Sequence, residues 1–159
     1  MPYTLDALPL ILTTQSVEQT QAVGAALASY LLAHPELPTY IALRGDLGVG
    51  KTAFVRGFAS VIAPGAPVRS PTFALVNEYR AASGHMPLFH FDMYRITSED
   101  DLYSIGYDDY LDRGYCLVEW SENIPYALPD RYLRVTLEKC DVSLPDQRTI
   151  RIETEQLHA

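Results

Sequence analysis

The stretch GDLGVGKT, residues 45–52, decides which fold the sequence predicts. Its members are Gly45, Asp46, Leu47, Gly48, Val49, Gly50, Lys51 and Thr52. A short apolar run, residues 40–43, ends one residue before the stretch, and apolar residues recur at helical spacing over residues 55–62 shortly after it. A strand followed by a glycine-rich loop and a helix is the order found in loops that bind phosphate, and the spacing G-x-x-x-x-G-K-T matches their pattern.

Each residue type in this stretch has a chemical reason. Glycine allows positive φ, so the backbone can wrap around an oxyanion and point its N–H groups inward. The helix that begins near Lys51 adds the positive end of its dipole. The Lys51 ammonium can reach the β- and γ-phosphates, and the Thr52 hydroxyl is a hard oxygen ligand of the kind that Mg²⁺ prefers. We therefore expect residues 45–52 to bind a nucleotide together with Mg²⁺.

The rest of the chain predicts a mixture of strands and helices. Besides residues 40–43, the expected strands are residues 8–12, 72–79, 87–94, 115–118, 133–137 and 150–152. A capping-box spacing, S-x-x-Q, begins at Ser16 and predicts the start of a helix over residues 16–34, while the acidic segment 97–112 predicts short helices. We find no internal repeat and no linker, so we expect a single domain over residues 1–159.

Two acidic residues stand where predicted strands end. Glu119 follows the apolar run YCLV, and Asp92 follows LFHF. A phosphate-binding loop needs a carboxylate at the end of a neighbouring strand to hold the hydrated metal, and either residue qualifies. The pair allows two roles, positioning the metal and orienting the attacking water, and the sequence does not assign them. We expect His90 to be a structural, hydrogen-bonded residue, and Thr72 either to sense the γ-phosphate or simply to begin a strand.

The composition of the chain indicates whether it can bind nucleic acid or a membrane by itself. The formal net charge is −8, and Lys51 and Lys139 are the lysines of the sequence. Because phosphate neutralisation dominates nucleic-acid binding, so acidic a chain is a poor candidate for gripping RNA by itself. The sequence has no apolar run long enough to span a bilayer and no export signal, so we expect a cytoplasmic protein without membrane contact. We expect Cys116 and Cys140 to be reduced thiols in or near the core.

Four blocks of the sequence, taken together, resemble one family. The blocks are GDLGVGKTAFVRG, SPTFALVNEY, FHFDMYR and LVEWSE, in that order. They are similar to the blocks of the bacterial tRNA threonylcarbamoyladenosine biosynthesis ATPase TsaE, also called the YjeE family. The resemblance covers about residues 16–152. The glycine-rich block alone is typical of a superfamily, whereas the SPTF, HFD-x-YR and EW blocks together are specific to this family.

The resemblance implies a fold and an activity. The implied fold is an α/β P-loop NTPase, with a mostly parallel central sheet, antiparallel additions and flanking helices. The implied activity is Mg²⁺-dependent ATP hydrolysis in the machinery that installs threonylcarbamoyl on the tRNA adenosine next to the anticodon. The implied partners are the proteins TsaD and TsaB, so that tRNA is met only through them.

The resemblance also implies roles for particular residues. Residues 45–52 bind the phosphates, Lys51, Asp92 and Glu119 are catalytic, and Thr52 and Glu119 hold the metal. The stretch that contains Ser16 and Thr20 matches the segment that approaches the adenine.

Two other functions remain open at this point. A small-molecule kinase usually carries a basic lid after its second acidic strand end, but residues 121–130 contain no Lys or Arg. A nucleotide-sensing module would bind partners when loaded and hydrolyse little, which Glu instead of Asp at position 119 leaves possible. Because the chain has no obvious arginine finger, we expect hydrolysis to be slow without the partners.

Overall fold

One mixed sheet of seven strands organises the chain. The computed structural model describes residues 3–46, 48–71, 75–81 and 84–157. Within these ranges the strands are β1 (Leu10–Thr14), β2 (Tyr40–Arg44), β3 (Val76–Tyr79), β4 (Leu88–Asp92), β5 (Tyr115–Glu119), β6 (Arg131–Lys139) and β7 (Arg148–Gln156). The helices are α1 (Val17–Ala33), α2 (Lys51–Ile62), α3 (Glu99–Ser104) and α4 (Tyr107–Tyr110), followed by 3-10 turns at Ser121–Asn123 and Pro125–Ala127.

The sheet has a parallel centre and antiparallel edges. Its strand order is β1-β7-β6-β2-β5-β4-β3. The strands β6, β2, β5 and β4 run parallel, whereas β7 is antiparallel to β6 and β1, and β3 is antiparallel to β4. The expected antiparallel additions are therefore present, and the parallel part is limited to the four central strands. The carboxyl ends of these four strands meet at one edge of the sheet, where ligands bind in open α/β sheets.

Apolar side chains cover both faces of the sheet. On one face α1 and α2 pack through residues such as Leu27 and Phe58, which lie in one core cluster with Leu88. On the other face a second cluster contains Phe89 and Phe91 of β4. Successive side chains of β4 thus point to opposite faces, and the even-numbered ones lie on the face that α2 covers.

Two glycines bring α1 and α2 into backbone contact. A Cβ atom added at Gly24 would lie 2.1 Å from the Phe54 carbonyl oxygen, and one added at Gly57 would lie 1.7 Å from the Gln21 carbonyl oxygen. Both distances are far below van der Waals contact, so only glycine permits this approach. The start of α2, and with it the loop before α2, is therefore fixed closely against α1.

The predicted start of α1 is confirmed in a modified form. The Gln19 N–H donates to the Ser16 hydroxyl at 3.1 Å, as a capping box requires. The Gln19 side-chain oxygen, however, accepts from the N–H of Gln15 at 2.7 Å instead of reaching Ser16. The prediction for the thiols is half right, because Cys116 is buried and Cys140 is exposed. In the described residues we find no helix with the length and apolarity to cross a bilayer.

Candidate functional site

The loop between β2 and α2 lies at the carboxyl edge of the parallel strands. We call residues 45–50 the glycine loop. Its glycines all have positive φ, +148° at Gly45, +76° at Gly48 and +110° at Gly50. Gly50 is also the N-cap of α2, and no side chain caps that helix end. The first N–H groups of α2 are therefore left for an anion, which the helix dipole also favours. Leu47, predicted to contribute to the same loop, lies outside the described residues.

The glycine loop is held from outside by β6 and β7. A Cβ atom at Gly45 would lie 2.6 Å from the Leu137 carbonyl oxygen, so the loop runs directly along the end of β6. Arg148, the first residue of β7, donates its Nε–H to the Val49 carbonyl oxygen at 2.6 Å. Asp46 is exposed, and its carbonyl oxygen accepts from the Val49 N–H at 3.2 Å. The backbone around Val49 is thus fixed by hydrogen bonds on both of its polar groups.

Lys51 is enclosed beneath the glycine loop. Its side chain is 5% exposed, and its Nζ donates to the Gly45 carbonyl oxygen at 2.7 Å. The ammonium also lies 4.3 Å from the centre of the Trp120 ring, within the range of a cation–π contact. Its distance to the Glu119 Oε1 atom is 4.0 Å. A buried positive charge that has one neutral acceptor and one nearby carboxylate is well placed to meet a phosphate.

The structure brings together the two acids that the sequence singled out. Asp92 ends β4, Glu119 ends β5, and the two residues stand opposite each other in the parallel register. Both side chains are buried. The Nε2 atom of the fully buried His90 lies 2.5 Å from the Glu119 Oε2 atom. An ionised carboxylate only accepts hydrogen bonds, so Nε2–H is the donor, and the other oxygen of Glu119 remains turned to Lys51.

Asp92 is an aspartate of raised basicity. Burial raises the pKa of its carboxyl above the ordinary value, and the nearby charge of Glu119 adds to the rise. The Tyr94 N–H, which donates to Asp92 Oδ1 at 2.9 Å, opposes it, as do His90 and Lys51. Asp92 therefore combines a fixed orientation with a stronger affinity for a proton than an exposed aspartate has, which suits a proton acceptor.

Thr20, one of the two residues predicted to approach the adenine, lies next to the glycine loop. The Thr20 hydroxyl is buried and lies 2.8 Å from the Thr14 hydroxyl, and a Cβ atom at Gly50 would lie 3.7 Å from the Thr20 methyl group. The Ser16 hydroxyl is used as the cap of α1. A role for Ser16 and Thr20 towards adenine stays a prediction. Thr72 lies outside the described residues.

The donor set fits a hydrated Mg²⁺ ion. Thr52 lies in the first turn of α2, partly exposed, directly after the buried Lys51. Among the residues that the structure describes, no group of three or more His, Cys, Asp or Glu side chains is arranged to hold a metal alone. Mg²⁺ at nucleotide sites usually takes one or two protein oxygens and completes its shell with water and phosphate. The Thr52 hydroxyl and the Glu119 carboxylate match that requirement.

Two contributors to this site were not predicted from the sequence, Arg148 and Trp120. Arg148 is remote from the glycine loop in sequence, and only the return of β7 beside β6 brings it there. Trp120 has positive φ, +59°, a conformation that few non-glycine residues adopt. That turn sets its ring beside Lys51. The adjacency of Trp120 to Glu119 in sequence was the one signal available, because neither long-range contact has a local pattern.

The chain is similar to known proteins of one family. The sequence model of the family "Threonylcarbamoyl adenosine biosynthesis protein TsaE" matches residues 14–150. The TsaE protein of Bacillus subtilis is 38% identical over 127 residues, which cover 79% of this chain and 75% of that protein. The TsaE protein of Haemophilus influenzae is 38% identical over 131 residues, covering 81% and 79%.

A solved structure is similar as well. The crystal structure of Bacillus subtilis YdiB superimposes with a TM-score of 0.66 at 30% sequence identity, covering 96% of this chain and 89% of that one. The family match spans the glycine loop, both strand-end acids and Arg148. The chain therefore belongs to the TsaE family of threonylcarbamoyladenosine biosynthesis proteins.

Proposed function

We propose that this chain is a Mg²⁺-dependent ATPase with a P-loop NTPase fold that acts in the cytoplasm on a complex of TsaB and TsaD. In this role it serves the machinery that installs threonylcarbamoyl on the tRNA adenosine next to the anticodon. Membership of the TsaE family supports the pathway. The glycine loop, which opens a helix at the carboxyl edge of parallel strands, supports the binding of a nucleotide.

One observation carries the proposal that the nucleotide is hydrolysed. Lys51, Glu119 and Asp92 come from three separate elements and converge at the carboxyl edge of the sheet. Phosphoryl transfer needs a cation on the phosphates and a group that orients the attacking water. A module that only binds nucleotide can use Glu119 as a metal ligand, but it has no use for the second buried carboxylate, Asp92, whose pKa is raised.

The side chains divide the work as follows. The N–H groups of the glycine loop and the Lys51 ammonium bind and orient the phosphates. Asp92 accepts the proton of the attacking water, because its raised pKa makes it a stronger base than an ordinary aspartate. Glu119, held through Oε2 by His90, presents its other oxygen to the site. Thr52 and Glu119 would hold Mg²⁺, which supplies charge neutralisation on the phosphates.

The partners complete this site in the proposal. Arg148 contacts the glycine loop, and its Nε and Nη1 atoms donate to the carbonyl oxygens of Val49, Pro145 and Gln147. The N–H groups of Nε and Nη1 are thus engaged with backbone carbonyl oxygens. Transition-state charge in phosphoryl transfer is often neutralised by an arginine that a partner supplies. The TsaB–TsaD pair therefore accelerates a slow intrinsic reaction.

Calorimetry and phosphate release test the proposal together. We expect the purified chain to bind Mg-ATP and to release phosphate slowly, with faster release when TsaB and TsaD are both present. Lys51→Ala removes the buried ammonium and should abolish release while docking to TsaB–TsaD is retained. Lys139→Ala, at an exposed lysine, is the matched control and should behave as the wild type. No heat on titration with Mg-ATP, with or without the partners, contradicts the proposal.

A further inference from the structure

Arg148, the first residue of the interior strand β7, makes three hydrogen bonds to backbone carbonyl oxygens. Its Nε–H donates to the Val49 carbonyl oxygen at 2.6 Å, and its Nη1 donates to those of Pro145 and Gln147 at 2.7 and 2.9 Å. One guanidinium thus joins the glycine loop to the turn between β6 and β7. Because each bond is made by an ionised donor, each is stronger than a hydrogen bond between neutral groups.

The contact between Arg148 and the Val49 carbonyl oxygen also affects the N–H group of the next residue, Gly50. A trans peptide unit is planar, and its C=O and N–H groups point in opposite directions. The Val49 carbonyl and the Gly50 N–H belong to the same peptide unit. By holding the carbonyl towards β7, Arg148 also fixes the direction of the Gly50 N–H on the opposite side of the loop.

Within the described part of the chain, the other hydrogen bonds of residues 49 and 50 do not involve the Val49 carbonyl oxygen, which Arg148 holds. The Val49 N–H is engaged with the Asp46 carbonyl oxygen at 3.2 Å, and the Val49 side chain is buried. Gly50 has no side chain that could restrain its own φ, which is +110°. The Gly50 carbonyl oxygen belongs to the next peptide unit and accepts from the Phe54 N–H at 3.0 Å. Among the described residues, Arg148 is thus the partner that holds the peptide unit between Val49 and Gly50.

We propose that Arg148 is a positioning residue of the nucleotide site, which holds the Val49–Gly50 peptide so that the Gly50 N–H faces the phosphates. This inference rests on the proposed function, because it assumes that the glycine loop binds phosphate. Pre-orienting an N–H group lowers the cost of ordering the loop when the nucleotide binds. Loss of Arg148 therefore weakens the binding of any nucleotide with a β-phosphate.

The test compares Arg148→Met and Arg148→Lys with a matched control, Arg134→Met. Arg134 lies on the same hairpin, but its guanidinium pairs with Glu153 and Glu155. Calorimetric titration with Mg-ADP should give a Kd about tenfold weaker in Arg148→Met, the effect of one lost charge-assisted hydrogen bond. Arg148→Lys keeps the charge but cannot reach three carbonyl oxygens, so it should recover only part of the affinity. Arg134→Met should bind as the wild type.

A second measurement separates positioning from general stability. In protein labelled with ¹⁵N-glycine, Mg-ADP should move the Gly50 amide signal of the wild type and of Arg134→Met strongly, and that of Arg148→Lys much less. Equal affinities and equal Gly50 shifts in wild type and both Arg148 variants overturn the inference alone. A wild type that binds no Mg-ADP overturns the proposed function and this inference with it. If Arg148→Met does not fold, Arg148→Lys decides by the same two measurements.

Discussion

The two oxygens of the Glu119 carboxylate face different neighbours. Oε2 accepts from His90, whereas Oε1 lies 4.0 Å from the Lys51 ammonium, beyond hydrogen-bond distance. One oxygen is thus committed to the protein, and the other is left for the site. His90 is therefore a structural residue that also matters to the site, because its imidazole determines the direction of the Glu119 carboxylate.

A double-mutant cycle measures the bond between His90 and Glu119. Both side chains are buried, so His90→Leu leaves a buried carboxylate oxygen unpaired and should lower the free energy of unfolding by about 1–3 kcal/mol. Glu119→Leu should cost a similar amount. The double variant should lose less stability than the sum of the two single losses, and the difference, the coupling energy, should be about 0.5–3 kcal/mol. Urea denaturation of the four proteins measures it. Additive losses would show that the two residues do not stabilise each other.

Asp92 gives a prediction that depends on pH. Its pKa is raised in the folded protein above the ordinary value of 3.8, so the folded state binds the proton more tightly than the unfolded state. Its contribution to stability is therefore present below the ordinary pKa and is lost as the pH rises through the raised pKa. Asp92→Asn removes the ionisable carboxyl, so the variant does not lose this stability as the pH rises. Its amide oxygen can still accept from the Tyr94 N–H.

We expect Asp92→Asn to be more stable than the wild type by about 0.5–2 kcal/mol near neutral pH, while ATP hydrolysis falls. The gain in the free energy of unfolding should shrink as the pH falls through the raised pKa and vanish near about pH 3, where the wild-type carboxyl is protonated in both states. Urea denaturation across this range measures the difference. A gain that is constant with pH would exclude the ionisation of Asp92 as its cause.

The two thiols should differ sharply in reactivity. Cys116 is buried, and burial raises the pKa of its thiol to about 12, whereas Cys140 is exposed. The thiolate is the reactive form, so a chromogenic thiol reagent should modify one thiol of the native protein and both after unfolding. Cys140→Ser is the control and should leave the native protein unreactive. Rapid modification of both thiols in the native protein contradicts the buried position of Cys116.

At the scale of elements, α1 and α2 depend on the absence of side chains where they cross. Gly57 lies in the interior of α2, where replacing glycine by alanine usually stabilises a helix by about 1 kcal/mol. Here the new methyl group would overlap the Gln21 carbonyl oxygen, 1.7 Å away. The close approach also determines where α2 begins relative to the sheet, and so where the glycine loop lies.

Gly57→Ala should therefore destabilise the protein despite its better helix propensity. We expect the free energy of unfolding to fall by about 1–3 kcal/mol, the cost of overpacking a close contact. Arg56→Ala, on the exposed side of the same helix, is the control and should change stability by less than about 0.5 kcal/mol. Thermal unfolding of the three proteins measures the effect. A stabilised Gly57→Ala would mean that the two helices are further apart.

The sequence predicted elements well wherever their signals are local. Local periodicity and capping residues predicted the helix after Ser16. They also predicted the strand before the glycine loop and the helix after it. The position of β7 between β1 and β6 was not predictable, because strand order depends on contacts between distant segments. For the same reason the acids of β4 and β5 could be proposed from their places at strand ends, whereas the contact between His90 and Glu119 and the reach of Arg148 could not.

At the scale of the whole molecule, charge limits what the chain can do alone. The net charge is −8, and Lys51, one of its two lysine positions, is buried. The helices α3 and α4 add acidic residues in their first turns, which increases repulsion from a polyanion. A protein of this charge gains nothing from releasing the counterions of a nucleic acid. In the proposed function, tRNA is therefore approached only through TsaB and TsaD.

Titration of fluorescent tRNA tests this separation of roles. The isolated chain should give no saturable binding up to about 100 μM at about 0.15 M salt, a concentration at which basic proteins already bind nucleic acid without specificity. Lowering the salt should not create binding, because the long-range interaction is repulsive at every ionic strength. The TsaB–TsaD pair is the control, and it should bind tRNA with or without this chain. Saturable, salt-sensitive binding by the isolated chain would mean that a local cationic surface outweighs the net charge, and that the chain meets its tRNA directly.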